Sequence, residues 1–211
     1  MSVQRIRAAV TAAGLVAWSF VGPRLPDAVQ PFANAALGTA LAAWTRAPLG
    51  LRPPTVYTGL RHGAPAAAAV CAAVTVATAS PAVRAAMRER PVPAGGPARW
   101  LLLRIPLGTA WAEETSYRAA LASLSADGFG PVAGRLVQAA AFGLSHIADA
   151  RAAGDPVLPT VAVTAVAGWV FAALTARAGS LAAPLLAHLA VNEAGAVAAL
   201  LVQRRRTGTL V

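Results

Sequence analysis

Residues 112–118 read Ala112-Glu113-Glu114-Thr115-Ser116-Tyr117-Arg118, inside an apolar run over roughly 100–125. This stretch decides the fold class. A membrane-spanning helix needs about 20 mostly apolar residues. An ionisable side chain inside one costs at least about 2.5–3.5 kcal/mol on insertion scales. Three charges within six positions of such a run are tolerable only where a helix bundle receives them in its interior.

The rest of the chain agrees with this reading. Of its 211 residues, 57% are hydrophobic and 12% charged, where an ordinary soluble domain carries roughly 25% charged residues. The mean hydropathy is +0.58. A soluble globule so poor in charge could not cover its surface, and a disordered chain needs low hydrophobicity. The single cysteine, Cys71, excludes a disulfide scaffold and a Cys-rich zinc site. The expectation is an all-α membrane protein, a polytopic helical bundle of about six to eight transmembrane helices.

Candidate spans are roughly 8–22, 31–50, 64–83, 100–125, 131–148, 157–176 and 181–203. The second is weak, because Arg46 interrupts its end and Pro48 follows. No A-x-A-like cleavage site follows the first, so it reads as a retained span rather than a signal peptide. Turn-like breaks separate the spans, among them Gly22-Pro23, Pro53-Pro54 and Asp127-Gly128-Phe129-Gly130-Pro131. The stretch 84–99, with Arg84, Arg88, Arg90 and Arg99, is the longest polar segment. It divides the chain into N-terminal helices and basic loop (1–99), a core (100–203) and a basic tail (204–211).

The net charge is +10, and all 18 basic residues are Arg. With 56 Ala in the chain, this composition suggests a GC-rich bacterial genome and hence a bacterial plasma membrane. Nucleic acid is not an expected partner. The Arg residues flank apolar runs, as cytoplasmic loops do, and form no basic stripe interleaved with aromatics. The 84–99 loop and Arg204-Arg205-Arg206 should both be cytoplasmic, with four spans between them. Three spans precede residue 84. Arg5 and Arg7 ask for a cytoplasmic N-terminus, which needs an even number, so either one early segment does not cross or the N-terminus lies outside.

Within the last four spans, Glu114 and Arg118 are spaced i, i+4 and share a helix face, so they should form an ion pair. Glu113 points about 100° away without such a partner. One carboxylate is thus held ionised and the other is free to act as a general base. Phe142 and His146 are again i, i+4, as are His188 and Asn192. A carboxylate pair, a His, and a second His with Asn, on three different spans, make a buried site that can handle protons and polarise a carbonyl.

Glu113-Glu114-x-x-x-Arg118, Phe142-x-x-x-His146 and His188-x-x-x-Asn192, in that order on separate apolar helices, resemble the CPBP family of intramembrane proteases. That family includes the type II CAAX prenyl endopeptidases and the Abi-type proteins linked to bacteriocin self-immunity. The resemblance implies that Glu113 activates a water molecule, that His146 assists, and that His188 and Asn192 stabilise the oxyanion. It makes Glu114 and Arg118 a supporting ion pair. The family is often classed as metalloprotease, and a zinc ion held by Glu113, His146 and His188 would suit a three-ligand catalytic site. Because Asn is a poor zinc ligand and a good oxyanion donor, a water activated by glutamate without obligatory metal is favoured. The implied partners are the lipid bilayer and a peptide or membrane-protein substrate.

Two other classes compete. Buried Glu and His also serve transporters and proton relays, but those folds show repeats or paired broken helices, and the chain has no repeat. A non-catalytic scaffold of the same fold would have no need of all four residues. A serine mechanism through Ser145 or Ser116 is disfavoured, because Ser145 and His146 are sequence neighbours whose side chains should diverge.

Overall fold

The computed structural model describes residues 2–92 and 95–207, the last three as backbone alone. Pro93 and Ala94 of the basic loop and residues 208–211 of the basic tail lie outside the described residues. The described residues contain helices and no strand.

The chain starts in α1 (Val3–Val21), where the Ser2 side chain accepts a hydrogen bond from the Arg5 N–H and so satisfies one orphan donor of the first turn. Gly22-Pro23-Arg24 makes a tight turn after it. Pro31 sits in the first turn of α2 (Gln30–Thr45), where its missing N–H costs nothing. Arg46, at φ 53°, closes α2 in the left-handed conformation that ends many helices. The second expected span, 31–50, therefore stops at Thr45. The third, expected over 64–83, runs instead as α3 (Thr55–Ala77). Pro65 lies inside it rather than at its start, and Pro53-Pro54 supplies the break before it.

Further along, α4 (Pro81–Glu89) is a short amphipathic helix carrying Arg84 and Arg88. The fourth expected span lies in α5, one continuous helix over residues 96–129. It is followed by α6 (Pro131–Ser145), a short α7 (Ile147–Ala153), α8 (Val157–Ala178) and α9 (Ala182–Thr207). Four helical stretches are long and apolar enough to cross a membrane: Val3–Arg24, Thr55–Ala77, Val157–Ala178 and Ala182–Arg204. The shorter α2 and α6, at 16 and 15 residues, and the charge-bearing α5 pack among them.

Tertiary contacts fix how the elements run. Arg5 donates to the Gly128 carbonyl at 2.9 Å, so α1 begins where α5 ends. Trp100 and Ile105, at the start of α5, pack on Ala196 near the end of α9. The α3 and α9 helices run parallel, with Gly59 against Ser180 and Gly63 against Ala183. The N-terminus and the 84–99 loop thus lie at opposite ends of the bundle.

The centre of α5 departs from α-helical geometry. Trp100–Trp111 and Glu114–Leu121 are π-helical. The Ala112 N–H reaches the Leu107 carbonyl and the Ala122 N–H reaches the Tyr117 carbonyl, each five residues back. Pro106 sits inside the first of these stretches and withdraws one backbone donor from the helix. The backbone of α2 approaches this region closely. A Cβ on Gly38 would collide with Thr115 Oγ1 and would sit 2.6 Å from the Ala112 carbonyl.

Candidate active site

The two adjacent carboxylates of α5 occupy opposite environments. The Glu114 and Arg118 side chains are both fully buried, with Arg118 Nε 3.4 Å from Glu114 Oε2. The Arg118 guanidinium carbon lies 3.8 Å from the Phe142 ring centroid and 5.0 Å from that of Phe171. Its charge is therefore held between two aromatic faces. Glu113, with 28% of its side chain exposed, faces a cleft instead.

His188, from α9, closes the group. Its Nδ1 is 2.7 Å from Glu114 Oε1. A carboxylate can only accept, so Nδ1 carries the proton and donates. The other nitrogen, Nε2, lies 3.6 Å from Glu113 Oε2. One imidazole thus spans both carboxylates. Its ring stacks on Phe171 with centroids 5.1 Å apart, which fixes its plane. The expected pairing of Glu114 with Arg118 is present, and Glu114 also orients His188.

His146 sits in the break between α6 and α7 rather than within a span. Its Nδ1 is 2.7 Å from the Phe142 carbonyl; the carbonyl accepts, so Nδ1 carries a proton and donates. Its ring meets Phe142 edge-on at 4.7 Å. Ser145 Oγ is 3.4 Å from His146 Nδ1. The two side chains therefore approach rather than diverge, yet both donate to the same carbonyl, which leaves Ser145 without a base. On α9, Asn192 lies one turn beyond His188 and donates from Nδ2 to the His188 carbonyl at 3.2 Å. Its amide keeps a second N–H.

Glu113 and His146 share a cleft of about 180 Å³. The same cleft is lined by Arg104, Gly108 and Tyr117 from α5 and by Asp149 from α7. In a regular α-helix, Arg104 and Glu113, nine positions apart at about 100° each, would fall on opposite faces. The π-helical stretch brings them onto one wall, a common place for such distortions. The neighbourhood of Asp149 raises its carboxyl pKa, chiefly by desolvation; the His146 and Arg104 charges oppose that and the Glu113 charge adds to it.

The opposite wall comes from the N-terminal helices, where sequence reasoning found no signature. Asn34 of α2 accepts from Trp18 Nε1 at 2.9 Å and donates to the Gly108 carbonyl at 3.2 Å, clamping α1 and α2 to α5. The loop between them is tied down by Asp27, whose carboxylate meets Arg104 at 3.2 Å and whose carbonyl accepts from Arg99. The only signal for this in the sequence was a lone Asn in an apolar run.

Glu113, His146 and His188, the residues a zinc ion would need, are not gathered into one metal-binding group. Among the described residues no three His, Cys, Asp or Glu side chains form a group that could hold a metal ion. The Nδ1 of each imidazole is engaged, that of His188 by Glu114 and that of His146 by the Phe142 carbonyl, and His188 Nε2 lies 3.6 Å from Glu113 Oε2.

Residues 95–194 match the family model described as Type II CAAX prenyl endopeptidase Rce1-like. This stretch, just under half of the chain, is similar to the CPBP family of CAAX-type proteases. No curated protein and no solved structure matches the chain. The CAAX-protease stretch contains all six residues singled out above, from Glu113 to Asn192. The family matched is one of hydrolases, and the four long apolar helices suit a protein embedded in a membrane.

Proposed function

We propose that the protein is an intramembrane endopeptidase that hydrolyses a peptide bond of a membrane-associated or CAAX-like substrate in the cleft beside Glu113. The observation that carries the reading is the split between the two carboxylates. Glu114 is enclosed by Arg118 and His188, while Glu113 alone opens on the cleft it shares with His146.

In this mechanism a water molecule lies between Glu113 and the scissile carbonyl carbon. Glu113 takes its proton as the oxygen attacks, and the carbonyl becomes a tetrahedral oxyanion. The free Asn192 N–H donates to that oxyanion; His188, whose Nδ1 proton is held by Glu114, joins it as a donor only with a second proton on Nε2. The C–N bond then breaks, and the proton taken from water passes to the departing amine. His146, tethered through Nδ1, assists at the cleft through Nε2. Glu114 and Arg118 do not touch the substrate; they hold His188 and the backbone of α5 in place.

The topology that goes with this reading has α1, α2, α3, α5, α6, α8 and α9 all crossing a bacterial plasma membrane. It places the 84–99 loop and the C-terminal end of α9 in the cytoplasm and the N-terminus outside. The test is cleavage of a peptide library by protein purified in detergent, with and without chelator, beside the Glu113→Gln variant. An amide cannot take the proton, so hydrolysis should fall by about 10²–10⁴-fold with no loss of folded protein. Near wild-type turnover by Glu113→Gln would remove the mechanism.

A further inference from the structure

A second cavity lies behind the active site, between α5, α6 and α8. It holds about 190 Å³ and is lined by Arg118, Ala122, Ala126, Arg135, Ala172 and Thr175, among others. The Arg118 side chain at its inner end is fully buried. The guanidinium carbon lies over the Phe142 and Phe171 rings, and the Nε edge is turned to Glu114. Nη1 and Nη2 have no hydrogen-bond partner among the described residues. A buried donor left unpaired costs about 1–3 kcal/mol, and more when it is charged.

Nearer the mouth, Arg135 makes no ion pair among the described residues and is half-buried. No carboxylate lines the cavity. Glu114 balances one of the two positive charges on its wall, and the other has no counter-charge there. Two guanidiniums from different helices, one with both terminal nitrogens unsatisfied, form a receptor for a tetrahedral oxyanion.

The mouth shows where the anion comes from. It is formed by Ala126, Pro131 and Ala176, all exposed, where α5 and α8 end and α6 begins. Beside it, Val132 is 75% exposed and Leu136 58% exposed. An apolar surface flanking a basic hole at the ends of apolar helices suits the headgroup level of a bilayer. We propose that this cavity binds the phosphate of a membrane phospholipid, with Arg118 and Arg135 as its donors and the acyl chains lying along the exposed face of α6. The site is separate from the hydrolytic cleft and does not depend on the protease reading.

The test uses protein stripped of lipid in a neutral detergent. It is titrated with phosphatidylglycerol, with diacylglycerol of the same chains, and with inorganic phosphate. Thermal unfolding and lipid retained in native mass spectrometry are read for each. Phosphatidylglycerol should raise the unfolding temperature and stay bound, and diacylglycerol should do neither. Inorganic phosphate should act only at concentrations about a hundredfold higher or more. Arg135→Gln should weaken phosphatidylglycerol about tenfold or more. Ala172→Leu, which fills the cavity without changing its charge, should do the same. Equal response of both variants and wild type, or equal effects of phosphatidylglycerol and diacylglycerol, would overturn the site. Phosphate acting at the lipid's own concentration would overturn the lipid as occupant.

Discussion

Replacing Glu114 by Gln keeps the volume and removes one charge from the most enclosed part of the molecule. Arg118 then sits fully buried with no counter-ion, and its Nη1 and Nη2 have no other partner among the described residues. Breaking a buried pair from one side costs about 3–5 kcal/mol. The charge-assisted bond to His188 Nδ1 also becomes a neutral one, which is roughly half as strong. Two aromatic faces still cover the guanidinium, and the 3.4 Å contact of the pair is loose, so the lower end, about 3 kcal/mol, is the better figure. For a chain of this size that corresponds to about 6–12 °C in Tm. The five Trp residues allow thermal unfolding in detergent to be followed by intrinsic fluorescence. The control is Glu114→Gln with Arg118→Met, which removes both charges and should recover much of the loss. A Tm for Glu114→Gln within about 2 °C of wild type, or a double variant no better than the single one, would refute the buried-pair argument.

Three further outcomes are expected. Asn192→Ala should lower kcat per folded molecule by about 10²–10³-fold with little change in KM; if Asn192 only caps the His188 carbonyl, kcat will not move and stability alone will fall. Gly38→Ala should cost about 1–3 kcal/mol by overpacking α2 against α5, and its activity should drop further than its folded fraction, because the displaced backbone carries Glu113. In a Cys71→Ser background, cysteines placed at the N-terminus and in the 84–99 loop should react with an impermeant label from opposite sides of the membrane; labelling of both from one side would break the topology.

Much of the site could be read from residue spacing. The Glu114–Arg118 pair is a one-turn relation on a single helix, and the different fates of Glu113 and Glu114 follow from adjacent positions. The bond from His188 to Glu114 joins residues 74 positions apart, and no local pattern encodes it. The placement of Arg104 beside Glu113 was hidden for another reason. It depends on helical bonds five residues long, whereas apolar periodicity is read at about 3.6 residues per turn. Asn34 and Trp18 were overlooked because each is a single residue in an apolar run, and its meaning lies in what another helix brings to it. The third helix starts at Thr55, earlier than the apolar run that suggested it, and continues through Pro65. Within a packed bundle, neighbouring helices can compensate for the backbone bond it removes.

The π-helical centre of α5 also governs how this protein can change over generations. Each ring closed five residues back holds one more residue than an α-helical ring, so the wall from Arg104 to Glu113 depends on the number of residues as much as on their kinds. Exchange of one apolar residue for another within Trp100–Trp111 leaves that number intact. Loss of a single codon between Arg104 and Glu113 turns Arg104 by about 100° relative to Glu113 if the winding is kept, carrying it off the cleft and away from Asp27. Lineages that keep the site should therefore hold the length of this segment constant, and Arg104 and Gly108 with it, while its other apolar residues are exchanged for one another.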